Sequence, residues 1–161
     1  RSGKSRLAEQ RANAASQDVI YVATAQAYDN EMTERIKLHR NDRPDHWNTI
    51  EEPLYLARIL QQNAIKDRVI LVDCLTLWLS NLLCMDDLSF FEEQKQSLLE
   101  CFPSLPGHVI LVSNEVGQGV VPDNALARRF VDEAGWLHQA LAAQSEQVTF
   151  VTAGLAQQLK P

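Results

Sequence analysis

Cysteine is scarce and unpaired in this chain. Cys74, Cys84 and Cys101 are an odd number, and their spacing holds no C-x₂-C metal pair. Reduced thiols in a cytoplasmic protein are therefore the plain reading. Long apolar runs are also missing, and nothing approaches the roughly 20 residues of a membrane span. No secretory leader pattern is visible. There is no surplus of basic residues either: 15 Lys and Arg stand against 21 Asp and Glu, for a net charge of −6. That balance argues against a broad nucleic-acid surface. Internal repeats and low-complexity segments are absent, which leaves no signature of a repeat array. What remains is 45% hydrophobic and 22% charged over 161 residues. Those values suit one globular domain, residues 1–161, with a substantial core.

The most informative absence lies at the front. Arg1-Ser2-Gly3-Lys4-Ser5 reads as the closing half of a phosphate-binding loop, Gly-x-x-x-x-Gly-Lys-[Ser/Thr]. The opening glycines and the buried strand that precedes such a loop are not in this sequence. A natural continuation upstream by about a dozen residues is expected, enough for both. In a complete loop, backbone N–H groups wrap the phosphates, the Lys ammonium meets the terminal ones, and the Ser hydroxyl helps hold Mg²⁺. Residues 6 to 15 are mostly good helix formers, as a helix N-terminus behind the phosphates requires.

Behind the loop, β-rich apolar runs alternate with helical patterns. Val19 to Thr24 reads as a strand buried on both faces, Arg68 to Cys74 and His108 to Ser113 as further buried strands, and Val148 to Val151 as the last strand. Amphipathic helices are expected over about Glu31–Arg40, Leu54–Asn63, residues from Leu75 to Leu83, Phe90–Phe102 and Asn124–Ala143, the last capped by Asp123. This order predicts a mainly parallel sheet with helices on both faces.

Ligands of such sheets sit beyond the carboxyl ends of the strands. Ala23-Thr24-Ala25 ends one strand in small residues that would let a nucleotide approach or simply pack closely. Asp73 ends another, either orienting Mg²⁺ or forming a turn. His39 lies among Arg35, Lys37, Arg40 and Arg43. Nearby cations favour neutral imidazole, the nucleophilic form, though the residues alone better describe a solvated basic helix face. Trp47 suits burial or stacking on a flat ligand. Asn114 to Asp123 is a polar, glycine-containing segment after a strand, where sites are built, and Thr152-Ala153-Gly154 is a loop that could cross a nucleotide base.

Several segments together resemble one family. They are Arg1–Ser5; Tyr21–Ala25; Asp29, Glu31, Met32, Arg35, Ile36 and His39; Arg43, Pro44, Trp47, Thr49 and Glu51; Asp73; Thr76 with Asn81–Leu83; Val112–Gly117 with Gly119–Pro122; and Leu126–Arg128, Phe130, Asp132 and Gly135. The chain is similar across its length to the bifunctional adenosylcobinamide kinases/adenosylcobinamide-phosphate guanylyltransferases of cobalamin biosynthesis, the CobU/CobP family. The resemblance implies a phosphate-loop domain of the RecA type. It implies phosphorylation of adenosylcobinamide by ATP or GTP with Mg²⁺, then transfer of GMP from GTP through a covalent GMP-histidine. The position matching that histidine is His39, with Lys4 also catalytic. Nucleotide contacts are implied for Arg1, Ser2, Gly3, Lys4, Ser5, Ala23, Thr24, Ala25, Arg40, Asn41, Asp42, Arg43, Glu51 and Asp73, and metal contacts for Ser5 and Asp73. A homotrimer is implied as well. His138 stands where relatives commonly carry Asn, so no role carries over to it. A phosphate-loop kinase without nucleotidyl transfer, or a silent nucleotide-binding subunit, would share Lys4, Ser5 and Asp73 but not need His39.

Overall fold

The computed structural model describes residues 2–16, 18–26 and 44–161. Arg1, the expected helix carrying His39, and Arg40 to Arg43 lie outside the described residues. Helix α1 spans Lys4–Ala15, strand β1 Val19–Ala23 and strand β2 Asn48–Glu51. Helix α2 (Leu56–Asn63), strand β3 (Val69–Asp73), helix α3 (Leu75–Cys84) and helix α4 (Leu88–Cys101) follow. A 3₁₀ turn over Phe102–Ser104 leads to β4 (His108–Val112), helix α5 (Ala125–Gln144), and strands β5 (Val148–Thr152) and β6 (Leu155–Lys160).

Four strands form a parallel sheet in the order β2-β1-β3-β4. The sequences of β1 and β3 do not alternate because both of their faces are covered. Ile20, Val22, Ile70 and Val72 face a core shared with α2, α3, α4 and α5. Val19, Tyr21, Val69 and Leu71 face a second core closed by Ala8 and Ala12 of α1 and by Trp47. Val69, Ile70, Leu71 and Val72 are all essentially buried. Each such side chain contributes about 1.5–3 kcal/mol of transfer free energy, which makes β3 the axis of the domain. Trp78 is fully buried, and its indole N–H donates to the Leu54 carbonyl at 2.8 Å. Trp47 is a buried tryptophan too.

Several expectations are corrected by the structure. Residues 48–51, which carry no strand signal in the sequence, form the edge strand β2; their mixed Asn-Thr-Ile-Glu pattern reflects one-sided pairing with β1 rather than deep burial. Helix α2 begins at Leu56 rather than Leu54, because Glu52 Oε1 accepts the backbone N–H of Leu54 and Tyr55 and holds that turn out of the helix. Asn124, not Asp123, caps α5: its side chain accepts from the Ala127 N–H. The final strand is β6, not β5. The two pair as an antiparallel hairpin. Ala153 and Gly154 make its two-residue turn at φ 51° and 77°, the positive pair that a tight hairpin needs. Leu-Ala-Gln-Gln-Leu-Lys carries no β-branched residue, so its sequence does not announce a strand. The Lys160 ammonium donates to the Ala142 and Ala143 carbonyls at the end of α5 and ties the hairpin to that helix.

Gly107, just before β4, has φ 78°, and a Cβ there would lie 2.3 Å from the Ile65 carbonyl oxygen. Only glycine permits this approach of the β4 entry to the β3 entry.

Candidate active site

The parallel register sets the strand ends in one row. Glu51 pairs with Ala23, Ala23 with Asp73, and Asp73 with Val112. Three residues singled out from the sequence, Ala23, Glu51 and Asp73, therefore stand side by side at the carboxyl edge of the sheet. This is where an open parallel sheet receives its ligand.

The front of α1 reaches the same edge. Gly3 caps the helix at φ 96°, and its carbonyl accepts from the Leu7 N–H at 3.1 Å. The left-handed cap turns the Gly3–Ser5 backbone N–H groups outward, free of intrahelical partners, beside Lys4 and the Ser5 hydroxyl. The tip of the β5–β6 hairpin closes over this turn. Gly154 donates its N–H to the Ser2 carbonyl at 2.9 Å, and a Cβ on Gly3 would sit 3.3 Å from the Gly154 Cα. The loop expected to cross a nucleotide is thus a hairpin turn fixed to the phosphate-loop residues.

Lys4 and Asp73 meet electrostatically at Cys74. Burial pushes the Cys74 thiol up, the Asp73 charge pushes it further, and Lys4 partly opposes them. Cys74 is thereby kept protonated and is no nucleophile. The Ser5 hydroxyl and the Asp73 carboxylate are hard oxygen donors of the kind that take Mg²⁺. Among the described residues, no group of three or more His, Cys, Asp or Glu forms a metal cage.

Thr24 has a different position from a simple ligand contact. It is fully buried. Its hydroxyl donates to the Cys74 carbonyl at 2.7 Å and accepts the Cys74 N–H at 2.8 Å. Its N–H donates to the Asp73 carbonyl at 3.3 Å. Asn81 on α3 donates from Nδ2 to the Thr24 carbonyl at 2.8 Å and to the Pro53 carbonyl at 3.1 Å. The side chain of Thr24 is engaged by the fold, so it sets where Ala23, Ala25 and Asp73 stand. Asn81 completes this brace. The sequence offered no signal for its bonds, because both carbonyls are more than 25 positions away.

The tip of β4 adds Ser113, which the sequence placed only as a strand end. It contacts His138 on α5, 25 positions later. A cavity of about 920 Å³ runs along β4 between α1 and β5, and Lys4 and Ser113 both line it. His39, Arg1, and Arg40, Asn41, Asp42 and Arg43 cannot be placed relative to this edge, since they lie outside the described residues.

The chain is similar over nearly its whole length to proteins of one family. Residues 1–159 match the model of the family described as cobinamide kinase / cobinamide phosphate guanyltransferase. The chain is 58% identical over 160 residues to the bifunctional adenosylcobalamin biosynthesis protein CobP of Pseudomonas aeruginosa, covering 99% of this chain and 92% of that protein. It is 38% identical over 173 residues to the corresponding CobU protein of Escherichia coli and 39% identical over 173 to that of Salmonella typhimurium. Each of those alignments covers 99% of this chain and 95% of the relative.

Proposed function

The chain belongs to the cobinamide kinase/cobinamide phosphate guanyltransferase family, and from that premise we propose that it performs both phosphorus transfers on adenosylcobinamide in cobalamin biosynthesis. The observation that carries this reading is the family match over residues 1–159. The convergence of the α1 front, Asp73 and the strand-end row on one edge supports it.

In the first reaction the backbone N–H groups of Gly3 to Ser5 and the Lys4 ammonium hold the phosphates of ATP or GTP. The substrate alcohol oxygen bonds to the γ-phosphorus as the bond to the bridging oxygen breaks, the nucleoside diphosphate leaves, and the alcohol proton is released to solvent. Ser5 and Asp73 would hold Mg²⁺, which when bound neutralises charge on the phosphates. In the second reaction a neutral His39 ring nitrogen attacks the α-phosphorus of GTP and pyrophosphate leaves. A phosphate oxygen of adenosylcobinamide phosphate then displaces the histidine, giving adenosylcobinamide-GDP. Arg1, Ser2, Ala23, Thr24, Ala25, Arg40, Asn41, Asp42, Arg43 and Glu51 complete the nucleotide contacts in this reading. Thr24 does so through its backbone, given how its side chain is engaged.

The enzyme works in the cytoplasm as a homotrimer. The exposed Val120, Val121, Leu126 and Trp136 offer apolar surface for such contacts. Among the described residues, no helix is long and apolar enough to cross a membrane.

Incubation of full-length protein with α-labelled GTP, then denaturation and gel analysis, tests the covalent route. The expected result is an acid-labile label that a His39→Ala variant lacks. A labelled His39→Ala variant, or no label on active protein, contradicts it.

A further inference from the structure

A hydrogen-bonded cluster at the tip of β4 has no part in the phosphate loop. Ser113 follows Val112, the partner of Asp73 in the β3–β4 register. Its Oγ lies 2.6 Å from His138 Nε2 and 3.4 Å from Thr76 Oγ1. The Thr76 hydroxyl oxygen accepts the Asn114 backbone N–H at 2.8 Å and its Nδ2 at 3.1 Å. On the other side of the imidazole, Nδ1 lies 3.6 Å from Glu115 Oε2. Glu115 is itself held, since its Oε1 accepts the Gly117 N–H at 2.7 Å. The cluster thus joins α3, the segment after β4, and α5.

The arrangement biases which way the serine hydroxyl points. A carboxylate facing Nδ1 favours the tautomer with hydrogen on Nδ1 and leaves Nε2 an acceptor. Ser113 then donates its hydrogen to His138. Its oxygen lone pairs are left toward Thr76 and the cavity that Ser113 shares with Lys4. A lone pair directed at an anionic phosphate oxygen is repelled, whereas one directed at an alcohol O–H is attracted. Resting on the kinase reading above, we propose that Ser113 accepts a hydrogen bond from the alcohol to be phosphorylated, and that His138 is the positioning residue that aims it. The pair orients the nucleophile beside the Asp73 tip and takes up no proton. Any side chain at position 138 that accepts from Ser113 serves the same purpose.

Steady-state kinetics of full-length protein, with adenosylcobinamide as acceptor and ATP or GTP as donor, separates the outcomes. Ser113→Ala and His138→Ala are expected to lower kinase kcat roughly 100-fold, the scale of a misplaced reacting group. The KM for the nucleotide is expected to change by no more than about twofold, since its phosphates are held elsewhere. His138→Asn, whose amide oxygen can accept from Ser113, is expected to restore kcat to within about threefold of the parent, by the same hydrogen bond. Thermal melting checks that each variant is folded, and the two alanine variants test the contact from opposite sides. Unchanged kcat in folded Ser113→Ala overturns the proposal. So does a His138→Asn variant as slow as His138→Ala, which would make the imidazole a base acting through Ser113. Absence of kinase turnover in the parent protein would instead sink the functional reading on which the proposal rests.

Discussion

Replacing Asn81 with leucine tests whether the strand-end row is braced from behind. The two side chains have the same number of heavy atoms and the same branch point, so the change mainly deletes hydrogen bonds. Asn81 is buried, and its amide donates to the Thr24 carbonyl at 2.8 Å and the Pro53 carbonyl at 3.1 Å. Leucine leaves both carbonyls without that donor. Each buried group deprived of its partner costs about 1–3 kcal/mol, so the pair amounts to roughly 2–6 kcal/mol, with about 3 expected after local relaxation. For a domain of this size that lowers Tm by about 6–12 °C. Urea unfolding followed by tryptophan fluorescence reads the loss directly, because Trp78 is buried against the Leu54 carbonyl beside the Pro53 end of the same brace. A loss below about 1 kcal/mol, the usual net value of one hydrogen bond, would refute the reasoning.

Further expectations concern other parts of the molecule. Gly107→Ala places a Cβ 2.3 Å and 2.6 Å from the Ile65 and Arg68 carbonyl oxygens at a positive φ; a loss of more than about 3 kcal/mol is expected, seen as poor soluble yield or a collapsed Tm. Cys84 is exposed while Cys74 and Cys101 are buried, and burial raises both of the latter thiols. At pH 8, iodoacetamide followed by mass spectrometry should modify Cys84 alone in native protein and all three in denaturant. Raised thiol values favour the folded state fully below the unfolded thiol value, and that contribution is lost as pH climbs through the folded values. Urea midpoints should therefore fall at strongly alkaline pH. Lys95 adds to the same trend. Burial pulls its ammonium down, but hydrogen bonds and charge from Glu133 and Glu92 outweigh that and raise it. A Lys95→Met variant should flatten the alkaline limb of the midpoint-against-pH curve, and an unchanged limb would contradict the assignment.

Much of the sheet was legible because an interior strand leaves an apolar, β-rich trace in the composition. The runs at Val19, Val69 and His108 are apolar and β-rich, and all three are strands. Asp73 was legible for the opposite reason, as one acid closing such a run. Strands β2 and β6 carried no trace because one-sided pairing tolerates Asn, Gln and Glu. The Asp123 cap was misplaced by one residue because Asp and Asn cap equally well, and only backbone geometry decides between neighbours. The brace from Asn81 to Thr24 and the contact from His138 to Ser113 join residues 57 and 25 positions apart. Such pairs arise from how α3 and α5 pack on the sheet, and no local pattern encodes them. Thr24 shows the converse. Its type and place drew attention as a ligand contact, yet its hydroxyl stitches β1 to β3.

The central claim is that one chain runs two phosphorus transfers on one corrinoid. Purified full-length protein, incubated with adenosylcobinamide, GTP and Mg²⁺ and followed by liquid chromatography with mass detection, addresses it most directly. Adenosylcobinamide phosphate should form first and convert to adenosylcobinamide-GDP, with one pyrophosphate released for each guanylyl transfer. Product stopping at the phosphate, with no pyrophosphate released, would contradict the account and leave a kinase alone.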